Sequence, residues 1–180
     1  MVALAARSRA SAFALVLVAS ITARAAEAPP EEYFGVPARV FDGDSFVLRT
    51  SRREIEIRLV DIDAPEHGQP FAATARDALD RLVWKERLRA VVIDKDKYDR
   101  SVCRVYRVRD GLDVNRQLVE DGDVWVYRRR VRDMSLYELE RKARREKRGL
   151  WALPESDLEP PWRWRREHPR APERTLRPQG

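Results

Sequence analysis

Cysteine occurs once in the 180 residues, at Cys103, and histidine twice, at His67 and His168. A single cysteine excludes an intramolecular disulfide. So few thiols and imidazoles also exclude a zinc centre of Cys/His spacing. A cysteine nucleophile would also want a histidine base, and the two histidines lie far apart in sequence. Val102-Cys103-Arg104-Val105-Tyr106 reads as a strand, in which Cys103 is a small buried apolar residue. Long apolar runs are missing too. The stretch at 12–19 is too short to span a bilayer. Arg7 and Arg9 precede it, and Ala23-Arg24-Ala25 offers small residues at cleavage spacing, so residues 1–25 read as a secretory signal peptide. Ala26-Glu27-Ala28 is a second possible cut site. A periplasmic or secreted protein is expected, monomeric and without stable membrane association after cleavage.

A surplus of one charge is equally absent from the body of the chain. The net charge is +6, but residues 26–127 hold 17 basic and 21 acidic side chains, while residues 128–148 hold ten basic and four acidic. The basic block, with Arg128, Arg129 and Arg130 at its head and no acid beside them before Asp133, is either a solvated face or a phosphate-binding surface.

What is present is a run of short strands punctuated by turns. Residues 26–33 form a Pro/Glu-rich leader, expected to be flexible, and the folded domain is expected over 34–153. Strands are expected at 38–41, 45–48, 55–59, 88–93 and 101–108, and Asp42-Gly43-Asp44 is a turn signal. Apolar residues at helical spacing predict helices over 71–82, 115–120 and 134–147. Trp125 and Tyr127 lie in an extended aromatic run. Five strands and about three helices without a βαβ repeat predict an α+β fold, a small barrel with helices packed outside. Residues 154–180 form a tail rich in proline, arginine and tryptophan, expected to be extended or partly disordered.

The chemistry concentrates where the third strand ends. Ile55, Ile57 and Leu59 alternate with charged residues, and then Asp61, Asp63 and Glu66 crowd around Pro65. Carboxylates so close repel one another unless a cation or guanidinium sits among them. Arg58 and Asp63 would face opposite sides of a straight strand, so a bend is required if both serve one site. Two aspartates, Asp44 and Asp63, with backbone carbonyls suit a hard cation such as Ca²⁺ or Mg²⁺. Arg58 and Arg100 can pair with phosphate oxygens, and Glu66 can orient or deprotonate a water. Together these groups form a sufficient kit for phosphodiester hydrolysis.

Asp42-Gly43-Asp44-Ser45, Arg58 with Asp63-Ala64-Pro65-Glu66, and Lys97-Tyr98-Asp99-Arg100 resemble the three active-site motifs of the staphylococcal nuclease (thermonuclease) family. The resemblance runs from about Ala38 to Trp151 and includes Val114-Asn115 and Gly149-Leu150-Trp151. It implies an OB-fold five-stranded barrel with three helices and a Ca²⁺-dependent endonuclease acting on DNA and RNA to give 3′-phosphorylated products. Asp44, Asp63 and the carbonyl of Ala64 would then bind Ca²⁺. Arg58 and Arg100 would hold the scissile phosphate, with Glu66 as the general base. Lys97 and Tyr98 would contact a terminal phosphate. Ala64 stands where the family's founding member has threonine, which removes a hydroxyl but not a carbonyl. The nucleoside-stacking tyrosines are not clearly matched. Tyr127 is the nearest candidate, and Trp125 either serves instead or belongs to the core. The tail Pro161-Trp162-Arg163-Trp164-Arg165-Arg166 resembles tails of exported bacterial homologues; its tryptophans either pack back on the barrel or stack on single-stranded nucleic acid. The alternative to an enzyme is a non-catalytic OB-fold nucleic-acid-binding module. Such modules lose the acidic and arginine residues, and all five are present here.

Overall fold

The period-2 alternation of Glu54–Leu59 becomes a barrel strand whose isoleucines and leucine point inward. The computed structural model describes residues 29–129 and 131–169. The strands β1 (Glu32–Asp42), β2 (Ser45–Arg49), β3 (Glu54–Leu59), β5 (Leu88–Lys95) and β6 (Ser101–Arg107) close into a barrel in the order β1-β2-β3-β6-β5. All pairings are antiparallel except β3 with β6, which is parallel. A second, two-stranded sheet joins β4 (Ile62–Asp63) to β7 (Trp125–Val126). Phe46, Leu48, Ile57, Leu59, Leu88 and Val105 fill the barrel, and Leu79, Leu118 and Leu136 bring in the helices α1 (Ala72–Val83), α2 (Val114–Asp121) and α3 (Leu136–Arg145). Among the described residues no helix is long and apolar enough to cross a membrane. Residues 1–25, where a signal peptide is expected, residues 26–28, Arg130 and residues 170–180 lie outside the described residues.

Two expectations are corrected. The leader does not extend to residue 33, because β1 begins at Glu32 and pairs Glu32 with Val91 and Tyr33 with Ala90. The tail is not extended throughout. Pro161 occupies the first turn of a fourth helix, α4 (Pro161–Glu167), where a missing N–H does no harm. Trp162 packs edge-on against Trp125 with ring centroids 5.9 Å apart, and lies 6.1 Å from Tyr127. Trp125 is 6% exposed and also meets Trp151 at 4.4 Å, so it belongs to the core.

The bend after β3 is real. Asp61 adopts φ 67, a left-handed conformation that costs a non-glycine residue energy. It is held there by its own polar groups. Its carbonyl accepts from Tyr127 N at 2.8 Å, and its carboxylate accepts from Arg132 N at 2.8 Å and Arg104 Nη2 at 2.9 Å. Asn115, buried on α2, donates to Val60 O at 3.0 Å and accepts from Val105 N at 3.0 Å, tying the bend to β6.

Buried Asp123 follows α2, and its carboxyl is pushed up to about 6 from an ordinary 3.8, by burial first and by Asp121 second, with Arg81 opposing. A raised folded-state pKa contributes stability that is present below the unfolded value and lost as pH rises through about 6. Asp123→Asn is therefore expected to be more stable than wild type at pH 8 by about 1–2 kcal/mol with solvent screening included. The advantage should vanish near pH 4, as urea unfolding at both pH values will read.

Candidate active site

Asp42 organises the first turn of the site. Its Oδ1 accepts from Asp44 N at 3.1 Å and from Ser45 Oγ at 2.6 Å, closing Asp42-Gly43-Asp44-Ser45 into an Asx-type turn. Gly43 is required by close approach: a Cβ there would lie 2.8 Å from the Cβ atoms of both Ala64 and Ala75. The turn is thus seated against the loop after β4 and against α1. Leu59 N donates to Asp44 O at 2.8 Å, which brings Asp44 beside the end of β3.

Arg58 then bridges two carboxylates. Its Nη1 pairs with Asp44 Oδ1, and its Nη2 donates to Asp63 Oδ1 at 2.7 Å. Asp44 and Asp63 are each 1% exposed. The second oxygen of Asp44 accepts from Ala64 N at 2.6 Å. Burial drives the Asp44 carboxyl well above the usual carboxylate range; Arg58 opposes this, while Asp42 and Asp63 add to it. Burial works against the charge of Arg58, but Asp44 and then Asp63 outweigh it and hold its proton more tightly than an ordinary guanidinium. The arrangement is a pair of buried carboxylates around one fork of positive charge, with Asp44 driven toward its neutral form.

Glu66 sits on the adjoining loop, half-buried. Its N–H donates to Gln69 Oε1 at 2.9 Å, and its carbonyl accepts from Gln69 N at 2.9 Å. Its Oε1 accepts from Arg165 Nη1 at 2.5 Å. Arg165 also grips Asp63, with Nη2 to Oδ2 at 2.7 Å and Nη1 to Oδ1 at 3.1 Å. The structure brings Asp44, Arg58, Asp63, Ala64 and Glu66 together, and adds Arg165, which sequence reasoning did not single out. The available signal was the three-residue spacing of Trp162 and Arg165, which places both on one helix face.

Arg100 stands apart from the carboxylates. Its Nε donates to Asp96 Oδ2 at 2.8 Å, its N–H to Asp96 Oδ1 at 3.0 Å, and its Nη1 lies 3.8 Å from Glu56. Although burial works the other way, these contacts hold the Asp96 carboxyl below its ordinary value. Tyr98 is 68% exposed on the same turn, with Lys97 Nζ 4.8 Å from its ring centroid. Tyr127 is half-buried beside Trp162. Arg128 is not without an acid, because α3 brings Glu140 Oε2 to 3.6 Å from it. Arg129 is exposed. Among the described residues no group of three or more His, Cys, Asp or Glu side chains is placed to hold a metal ion.

The model of a family described as "Staphylococcal nuclease homologue" matches residues 56–153. The chain is 35% identical to a micrococcal nuclease of Shigella flexneri over 167 residues, covering 88% of this chain and 91% of that protein. It is 39% identical to an uncharacterized endonuclease of Escherichia coli O157:H7, over 73% of this chain and 84% of that one. It is 36% identical to the protein ParB of Escherichia coli, over 88% and 90%.

Proposed function

Since the chain belongs to the staphylococcal nuclease family and is a hydrolytic nuclease, we propose that it is a Ca²⁺-dependent endonuclease cleaving DNA and RNA to 3′-phosphorylated ends. The observation that carries this reading is Arg58 spanning two buried aspartates beside Glu66. The donor set fits a hard cation. Oxygens of Asp44 and Asp63 converge on the two Nη atoms of one guanidinium, so positive charge is already accommodated between them. Asp44, Asp63 and the carbonyl of Ala64 would hold Ca²⁺, which when bound supplies electrostatic stabilisation of the phosphate's developing charge.

The remaining steps belong to side chains. Arg58 and Arg100 bind the scissile phosphate, the latter after exchanging Asp96 for substrate oxygens. Glu66 orients a water and takes its proton as the water oxygen attacks phosphorus. The bond from phosphorus to the 5′ oxygen breaks, that oxygen takes up a proton from solvent water, Glu66 returns its proton to solvent, and the phosphate stays on the 3′ side. Exposed Lys97 and Tyr98 are suited to a terminal phosphate, and Tyr127 to a base.

Single-stranded DNA and RNA incubated with Ca²⁺, and separately with a chelator, test the reading. Cleavage is expected with Ca²⁺ on both polymers, with ends that a 3′-phosphatase modifies, and is expected to stop in chelator. Equal cleavage in chelator overturns the metal assignment.

A further inference from the structure

The C-terminal helix reaches into the site from 99 residues beyond Glu66, and two separate contacts hold it there. Trp162 packs on Trp125, whose strand β7 pairs Trp125 with Asp63 itself. Gln69, 5% exposed, donates from Nε2 to Glu159 O while its Oε1 accepts from Glu66 N. One buried amide thus ties the entry of the tail to the loop that carries Glu66. One helical turn beyond Trp162, the guanidinium of Arg165 meets both oxygens of Asp63 and one of Glu66. With Arg58 on the other side, every carboxylate oxygen of Asp44 and Asp63 already accepts a hydrogen bond.

We propose that Arg165 is an internal counter-ion of the hydrolytic site: α4 holds its guanidinium on Asp63 and Glu66, and a divalent cation must displace it from Asp63 to bind. The inference rests on the metal reading above and adds its regulation. Three carboxylates and two guanidinium groups leave the cluster close to neutral, so it is stable without a metal. The same pairing fills a ligand oxygen and engages the base. Cation binding and the docked position of Arg165 therefore compete for one carboxylate. Because the tail is part of the chain, its local concentration does not fall on dilution.

Calorimetric Ca²⁺ titration of the mature chain tests this beside melting curves in chelator and in saturating Ca²⁺. Arg165→Gln is expected to bind Ca²⁺ about tenfold or more tightly than wild type, because one competing positive charge has gone. Arg165→Lys, which keeps the charge without the fork, should fall between them. Trp162→Ala, which loosens α4 without touching a carboxylate, should tighten Ca²⁺ binding as well. In chelator, Arg165→Gln should melt below wild type, and saturating Ca²⁺ should erase the difference. A wild type that takes up Ca²⁺ while Arg165→Gln binds it no more tightly overturns the displacement alone. A wild type that takes up no Ca²⁺ overturns the metal reading and the displacement with it.

Discussion

Glu66→Gln is expected to lower kcat by about 10²–10⁴ without a large loss of Ca²⁺ affinity, since weakening the grip on Arg165 does not weaken the proposed ligands. The amide keeps the volume of the side chain, and its oxygen can still accept from Arg165 Nη1, so the loop that Gln69 closes at 2.9 Å is retained. What it loses is the capacity to take a proton from water. Asp44 and Asp63, the proposed cation ligands, are untouched. An interaction made only in the transition state lowers kcat and kcat/KM together, so KM should hardly move. Steady-state digestion beside calorimetric titration reads both quantities. Near-normal kcat at saturating Ca²⁺ would remove Glu66 from the role of base. A large loss of Ca²⁺ affinity would instead make Glu66 a ligand.

The parts of this site that lie on regular strands were legible in the sequence. Ile55, Ile57 and Leu59 are buried and their charged neighbours are not, as period 2 requires. That parity also made the bend necessary, since Arg58 and Asp63 meet at 2.7 Å only because the chain turns at Asp61. The start of β1 was not legible, for a physical reason. Its apolar residues point the wrong way: Phe34 and Val36 are 45% and 42% exposed, while Gly35 and Pro37 face in. Proline in mid-strand also reads as a break, and it is tolerated here because a bulge follows between Pro37 and Arg39. The role of Asp61 as an anchor for the segment after Tyr127 depends on residues some 70 positions away, which no local pattern encodes. The grip of Arg165 on Asp63 is hidden for the same reason. A basic, proline-rich tail has the composition of a solvated segment, and only the docking of Trp162 turns it into part of the site. Arg100 shows the converse: its motif is legible, yet its guanidinium rests on Asp96, a partner four residues away that competes with any phosphate.

Arg58→Met should be the most destabilising single change in the site, costing about 3–5 kcal/mol at pH 7 in chelator, as removal of one partner from a buried ion pair does. Asp63 retains Arg165, but Asp44 retains only the N–H of Ala64 and the structure of its own turn. A carboxylate 1% exposed and already driven toward its neutral form would then lack its guanidinium. The pH dependence follows from the sign of that shift. A folded-state pKa raised above the unfolded value contributes stability that is full below the unfolded value and is lost as pH rises through the folded one. The variant should therefore lose stability from acid toward neutral pH more steeply than wild type. Adding Asp44→Asn removes the charge that Arg58 neutralised, and should recover most of the loss and flatten the profile. Arg58→Lys should be intermediate in stability yet severe in hydrolysis, since one ammonium cannot replace two nitrogens that reach two different carboxylates. Urea unfolding at pH 5 and pH 7 for the single and double variants decides the matter. If the double variant is no more stable than Arg58→Met, the cost lies in lost packing of the arginine stem and not in an orphaned Asp44.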